Sequence, residues 1–557
     1  MKKIGDFPVF ACAIMLTALS FHCAASTISS SEIMRLQRVY GTAFSAATRS
    51  SIVELGKKKT VAAMKTVTLA IEGRGTLVFQ KESLRRTGNR GIFWSGTSAG
   101  RQNCRLHLYQ KADRVRGSLY DIGGTWHLET TRPGMLRAIR LDPSGHDESL
   151  EEDGSVTGLA KSTAVQSDSS IAFVDVLVLY SALYRASFSS AAALDDEVNF
   201  RIAEANEIFE NSRIKTAFRL VHHEEVALTD DMQKATHVRE SDIAPALRDE
   251  YGADLVTYWT IDGKGGTAHL YTGQEKSAYS TMTKSNIQSK FTFPHETGHN
   301  FGARHDRVAY DRIGTHQDEY CYGLCRYDYR SVMAYSNCTG DTCPRIPYFT
   351  NPDITIATEP FGVPASEIDP ANNSRQLNDT RAAIEHFRDI VYEDYWVLRV
   401  VDGDGDGPYA AGEAVSIQAV SAPEGMVFYG WTGDTAYIDN PHGASATITM
   451  PSHNCAVYAA FRDENYVAAG APCSTGAAPL RISVTHSRTL ILHTEKPGPY
   501  QVSLFSADGK SVYSMQGRAA GAKTVIDIPG ASAGTALYIA KITVKGKTHI
   551  RKIAPVH

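Results

Sequence analysis

The spacing of apolar and polar positions changes several times along the chain, and the changes divide it. Between residues 26 and 170 a helix-like start gives way to short runs of strand character at 67–71, 75–79, 104–108 and 117–120. The stretch 147–170 is acidic and then rich in Ser, Gly and Ala, which predicts an exposed linker open to proteolytic cutting. A different pattern starts at Ile171. Residues 173–180 form a near-continuous apolar run, as in a strand buried on both faces. In 191–211, Val198, Ile202, Ala205, Ile208 and Phe209 fall on one helical face. Further strands are predicted at 217–221 and 254–259, and helices at 243–251 and 375–389. This alternation predicts an α/β (α+β) unit over 171–390. From 395 to 465 the pattern is all β. A second set of short strands starts at 480, within a predicted β-sandwich domain at 474–557, and an Ala-, Gly- and Pro-rich stretch at 467–479 separates it from the first. The expected fold class is therefore multidomain: a β-rich N-terminal part, an α/β central domain and two all-β C-terminal domains.

The first residues modify this picture. Met1-Lys2-Lys3 is followed by a largely apolar run from 7 to 21 and by Cys23-Ala24-Ala25. That order predicts a secretory signal peptide over 1–25. The run is shorter than the roughly 20 residues of a spanning helix, and no later segment is a transmembrane candidate. A lipid anchor on Cys23 would need a better motif than Ser20-Phe21-His22. Export changes the reading of the nine cysteines. Cys12 and Cys23 leave with the signal. Cys321, Cys325, Cys338 and Cys343 cluster, Cys455 and Cys473 form a later pair, and Cys104 stands alone. The even groups are disulfide candidates, with connectivity open and a structural zinc site as the alternative for the cluster of four. The formal net charge of −4 gives no reason to expect nucleic acid or an anionic membrane as a partner.

The chemistry is concentrated in His295-Glu296-Thr297-Gly298-His299-Asn300-Phe301-Gly302-Ala303-Arg304-His305-Asp306. Residues i and i+4 share a helix face, so His295 and His299 can bind one metal ion. Gly302 can take the left-handed conformation that ends a helix, and the returning chain can bring in His305 as third ligand. Three imidazoles leave one zinc position open for water, as catalysis requires. Glu296 lies toward the same cleft as a candidate general base. Pro294 places the helix start within the preceding turn.

This string resembles the signature of the metzincin zinc metalloproteases at every defining position. Ser331-Val332-Met333-Ala334-Tyr335 resembles their Met-turn, with Met333 lying 28 residues after His305. Together with Tyr251-Gly252-Ala253-Asp254-Leu255-Val256 and Arg345-Ile346-Pro347-Tyr348-Phe349-Thr350-Asn351-Pro352, the region 171–390 is similar to bacterial reprolysin-like (ADAM-type) peptidases. The resemblance implies one catalytic Zn2+, protein or peptide substrates, and an endopeptidase mechanism with Glu296 as base. In the astacin and serralysin branches a tyrosine placed like Tyr335 stabilises the oxyanion. Asp306 resembles the ADAM-like branch, which usually lacks that tyrosine, so a packed core residue is the other reading. Such relatives commonly carry a Cys-Gly before an edge strand near the cleft. Gly265-Gly266-Thr267-Ala268-His269 lacks the cysteine, and His269 reads as a surface histidine or a cleft residue.

The flanks carry further resemblances. Residues 26–170 resemble the propeptide of such proteases, which implies a zymogen. Cys104 is the candidate for a thiolate latency switch, although Asn103-Cys104-Arg105 lacks the usual glycine and an inert buried cysteine is the alternative. Residues 395–465 resemble the divergent internalin-type B-repeat, a spacer or adhesive unit. Within it, Asp402-Gly403-Asp404-Gly405-Asp406-Gly407 followed by Glu413 reproduces an EF-hand ligand spacing. Strands flank the loop, so a polar hairpin is preferred over a Ca2+ site. Residues 474–557 resemble the C-terminal sorting domain of the type IX secretion system. That implies passage by outer-membrane secretion machinery and a secreted, extracellular or cell-surface location. The competing function is a surface adhesin whose metalloprotease domain is secondary or inactive.

Overall fold

The computed structural model describes residues 50–463, less 142–148, 152–169 and some short loops, together with a set of strands between 481 and 553. The expected signal peptide, residues 152–169 of the linker, Cys338, Cys343 and Cys473 lie outside the described residues. There are two compact units: residues up to 422 with 428–461, and 462–557 with 423–427.

The first unit begins with an eight-stranded sheet: β1 (Ser50–Glu54), β2 (Thr66–Ile71), β3 (Gly75–Arg86), β4 (Ile92–Ser98), β5 (Arg105–Lys111), β6 (Arg114–Asp121), β7 (Gly124–Arg132) and β8 (Met135–Arg140). Their order is β1-β8-β7-β6-β5-β4-β3-β2, and every neighbouring pair is antiparallel. Alternate side chains of each strand point to opposite faces. Leu106 and Leu108 of β5 enter one core with Phe79, Trp94, Leu119, Trp126 and Leu128. The intervening Arg105, His107 and Tyr109 are buried too, because the other face is covered by the next domain.

That domain contains β10 (Ala172–Tyr180), α1 (Ala191–Asn211), β11 (Thr216–Glu225), α2 (Ile243–Glu250), β12 (Leu255–Thr260), β13 (Gly266–His269), β14 (Tyr279–Thr283), α3 (Thr292–Asn300) and α4 (Asn373–Ile384). A further short strand, β9 (Ser149–Glu151), precedes it and completes a sheet of order β11-β10-β12-β14-β13-β9. The strands β11, β10, β12 and β14 are parallel, β13 runs antiparallel to β14, and β9 pairs in parallel with β13. The central β10 is apolar and buried along nearly its whole length, as its unalternating pattern predicts. The last helix stops at Ile384, short of the expected 389.

Helix α1 is capped by the Ser190 side chain, which accepts from Ala193 N–H. Its apolar stripe of Val198, Ile202, Ala205, Ile208 and Phe209 packs on the sheet, as predicted. The opposite stripe would ordinarily face water. Here it is buried under the N-terminal sheet, and each carboxylate meets a base. Arg114 binds Asp196 at 2.5 Å, and Arg116 binds Glu197. His107 lies 3.1 Å from Glu204, and Arg105 and Arg85 reach Glu207 at 3.3 and 2.5 Å. Burial would raise the Glu207 carboxyl, but Arg85 and Arg105 outweigh it and hold it at about 2. Buried charges are tolerable only when paired. The complementarity therefore fixes where the N-terminal domain sits on α1.

Residues 396–461 form two small sheets. One has the order Gly407–Tyr409, Trp396–Val401, Cys455–Asp463, Met426–Gly433, and the other Gly403–Asp404, Ala414–Ala419, Ser445–Thr449. Trp396, Leu398, Val400, Ile417, Trp431, Ile448 and Val457 fill the space between them. The second unit holds a three-stranded and a four-stranded antiparallel sheet, which agrees with an all-β C-terminus. Among the described residues, no helix is long and apolar enough to cross a membrane.

Two disulfide candidates are corrected. Cys321 and Cys455 are buried thiols, and burial pushes each up to about 12. Cys455 is packed in its domain core, with Sγ 3.9 Å from Met450 Sδ. Cys325 is half of a disulfide, which removes the four-cysteine zinc site.

Candidate metal centre

Helix α3 carries two of the three histidines. It follows Phe291, whose φ of 54° is left-handed, and Pro294 is its third residue. That position lies in the first turn, where a missing N–H costs no helical hydrogen bond. At the other end Gly302 has φ 93°, its N–H reaching His299 O at 2.8 Å, and Ala303 N–H returns to Gly298 O at 3.0 Å. This reversal delivers the short strand Arg304–Asp306, which pairs with Tyr322–Gly323 and carries His305.

The three imidazoles converge as the sequence predicts. His305 Nε2 lies 3.2 Å from His295 Nε2 and 3.0 Å from His299 Nε2, and all three rings are buried. The protonation pattern follows from the outer contacts. His295 Nδ1 is 2.8 Å from Val332 O, and His299 Nδ1 is 2.7 Å from Ala303 O. A carbonyl can only accept, so both protons sit on Nδ1 and both Nε2 lone pairs point at His305 Nε2. With His305 in the same tautomer, three lone pairs converge, an arrangement that a cation between the nitrogens satisfies. A tetrahedral zinc with Zn–N bonds of ~2.05 Å has ligand–ligand edges of ~3.3 Å, close to the spacing here. The donor set and its carbonyl supports thus fit zinc. Among the described residues this is the one cluster of His, Cys, Asp or Glu suited to a metal ion. The calcium candidate at 402–407 is not in it.

Beneath the histidines lies Met333, buried completely. A Cβ on Gly298 would come within 2.8 Å of Met333 Sδ and 3.0 Å of Phe349 Cε1, so the helix rests directly on the Met-turn. The turn is tied back by Val332 O, the acceptor for His295. The Tyr335 ring lies against His305, with centroids 3.9 Å apart. Asp306 holds it there: Oδ2 accepts from Tyr335 N–H at 2.9 Å, while Oδ1 accepts from Ala309 N–H at 3.2 Å. Asp306→Ala would strand two backbone donors. The expected loss is about 1–3 kcal/mol of stability, read from thermal unfolding at matched zinc content. Asp306→Asn, which keeps one acceptor, should lose less.

Glu296 is fully buried beside the triad. Two further residues, not singled out as site residues from the sequence, hold this side of the cleft. Gly266 of β13 faces the carboxylate so closely that a Cβ there would lie 2.2 Å from Glu296 Oε1. Asn300 donates through Nδ2 to His269 O, Ser277 O and Tyr279 O at 3.1, 2.6 and 3.1 Å, tying α3 to β13 and the approach to β14. Only the Gly-Gly at 265–266 hinted at a close approach; a helical asparagine gives no such signal.

Two expectations change. Cys104 does not stand at the centre. It is packed in the N-terminal core with Trp94 and Leu106, inside the sheet rather than on the face toward α1. His269 is not a surface residue: it is buried on β13, with Nε2 3.4 Å from Thr236 Oγ1.

Comparison with known proteins agrees with this geometry. Residues 170–350 match the family described as metallo-peptidase family M12, and 400–465 match the divergent InlB B-repeat domain. With the histidine triad in place, the chain is a zinc metalloendopeptidase. A peptidyl-Asp metalloendopeptidase of Xanthomonas campestris pv. campestris is 26% identical over 401 residues, covering 67% of this chain and 92% of that one. One of the same description from Pseudomonas aeruginosa is 27% identical over 245 residues, covering 39% and 40%. Metalloproteinase-II of Bacteroides fragilis aligns with a TM-score of 0.29 at 10% identity, over 52% of this metallopeptidase and 88% of that chain.

Proposed function

We propose that the chain is an exported endopeptidase made as a zymogen, with His295, His299 and His305 as zinc ligands and Glu296 as general base. The observation that carries this reading is the convergence of the three Nε2 atoms beside a buried carboxylate. A zinc ion held there supplies Lewis acidity, lowering the pKa of a bound water toward about 7 and polarising a carbonyl. Glu296 accepts the proton of the attacking water and returns it to the leaving amine. Tyr335, anchored by Asp306 against His305, is the side chain we assign to the developing oxyanion. Met333 keeps the floor of the site rigid.

An extended substrate would pair along β13, the strand beside α3 that β9 now covers and that becomes an edge once β9 leaves. What supports latency is the ladder already there: Ser149, Leu150 and Glu151 pair with Thr267, Ala268 and His269. The residues just before the predicted linker therefore lie along the edge a substrate needs. The named specificity of the relatives supports aspartyl bonds as substrate. The resemblance of 474–557 to a sorting domain supports release from the cell or display on its surface.

The test is hydrolysis of an unfolded protein and of matched peptides with Asp or Asn, using chain cut between 152 and 169 and freed of its N-terminal fragment. Activity should vanish with a chelator, return with Zn2+, and favour the Asp peptides. A zinc-loaded chain that has been cut and freed of its N-terminal fragment, and still cleaves nothing, would favour the adhesin reading instead.

A further inference from the structure

The contacts of the B-repeat-like domain give it a role beyond that of spacer. Strand β3 of the N-terminal sheet presents Lys81, Arg85 and Arg86, and three carboxylates of the 396–461 region meet them. Lys81 Nζ lies 2.6 Å from Asp404, Arg86 Nη1 2.8 Å from Glu413, and Arg85 Nε 3.6 Å from Asp406. The backbone joins in: Arg86 N–H donates to Asp406 O at 2.8 Å, making a parallel bridge between Arg85 and Asp406. The Arg86 guanidinium also lies over the Tyr409 ring, 4.8 Å from its centroid.

This approach depends on one glycine. Gly407 has φ 148°, and a Cβ there would sit 2.6 Å from Arg86 Cβ and 2.8 Å from Arg86 O. The Asp-Gly-Asp-Gly-Asp-Gly loop thus has Asp404 and Asp406 committed to protein cations. Asp406 further accepts from Val400 N–H at 2.8 Å and binds Arg399 at 3.1 Å.

The same arginine reaches three domains. Arg85, only 5% exposed, binds Asp406 on one side and Glu207 and Glu210 of α1 on the other. Arg399 closes the ring by binding Glu210 at 3.2 Å. A cavity of about 60 Å³ at this junction is lined by residues of all three, among them Arg86, Asn199, Leu220, Tyr395 and Pro408. The N-terminal domain is therefore a cationic body held between two anionic ones. Removing it would leave buried carboxylates without their partners, a costly state.

We propose that the B-repeat-like domain is a clamp for the N-terminal domain: with α1 it keeps that domain bound after the segment 152–169 is cut, so that cleavage alone does not release it. The proposal rests on the propeptide reading only in taking that segment as the place of the cut.

The test uses the full chain with Glu296→Ala, so that its own activity plays no part, and a foreign protease site built into residues 155–165. After cutting, the N-terminal fragment should co-elute with the remainder at about 0.15 M salt. Lys81→Glu with Arg86→Glu should speed its dissociation on the order of tenfold, and so should Asp404→Lys with Glu413→Lys. These four side chains are partly exposed, so the folds should survive, which circular dichroism checks. The chain carrying all four changes should hold the fragment again. Immediate loss of the wild-type fragment overturns the proposal. So does retention by both charge-reversed chains, or failure of the fourfold variant to recover. A failed protease reading would show separately, in the zinc-dependent hydrolysis assay on the Glu296 chain.

Discussion

Glu296→Gln is expected to lower kcat/KM on the order of 10³-fold while one zinc stays bound per chain. The two side chains have the same shape, so the buried site should hold the amide without repacking. The metal donors are untouched: their orientation comes from Val332 O and Ala303 O, neither of which involves residue 296. What changes is proton transfer. An amide cannot take a proton from water at neutral pH, and a positioned acid–base group is worth roughly 10²–10⁴ in rate. The upper half of that range applies because Glu296 would serve both the attack and the departure of the amine. The measurement is kcat/KM on an unfolded substrate for both activated chains, with zinc determined on the same samples. A variant that keeps a tenth of the activity would remove Glu296 from the chemistry. A variant that loses its zinc would instead make the residue part of the metal site's support.

The zinc centre was largely legible in the sequence because its parts are local. His295 and His299 are one helical turn apart, Gly302 reverses the chain, and His305 follows within three residues. Met333 could be assigned through order and distance. The reading failed where partners are far apart in the chain. Cys104 lies beside a strand, and its inward direction depends on the pleat of the whole sheet. His269 is buried by Thr236 and the elements around it, which the pattern of β13 alone does not reveal. Helix α1 is the clearest case. Its apolar stripe was readable, but Asp196, Glu197, Glu204 and Glu207 look like a solvated face until Arg85, Arg105, His107, Arg114 and Arg116 are brought across it. Charge pairing over separations of about 80 to 125 residues leaves no periodic trace. The same applies to the 402–407 loop, whose carboxylates have a calcium-like spacing but are used by Lys81 and Arg85.

Gly266→Ala is expected to reduce kcat/KM about 100-fold with little change in zinc content. The added methyl would lie 2.2 Å from Glu296 Oε1, 2.7 Å from Cδ and 2.9 Å from Cγ. One of the two groups must move. Strand β13 is held by β14 along Gly266, Thr267 and Ala268. Thr283 N–H adds a hydrogen bond to Gly265 O at 2.9 Å, and Asn300 fastens the far end of the strand to α3. A carboxylate at the end of two rotatable bonds gives way more easily than a strand fixed by its ladder to β14 and by Asn300. The methyl therefore displaces Glu296 by on the order of 1 Å, enough to cost about 10²-fold when a reacting group leaves its position. The histidines hang on Val332 O and Ala303 O, away from β13, so zinc should remain. Thermal unfolding should change far less than activity, because the strain is relieved by a side chain. Activity within threefold of wild type would mean that the strand retreats instead. In that case β13 is looser than its ladders imply, and the fixed edge proposed for an extended substrate loses its footing.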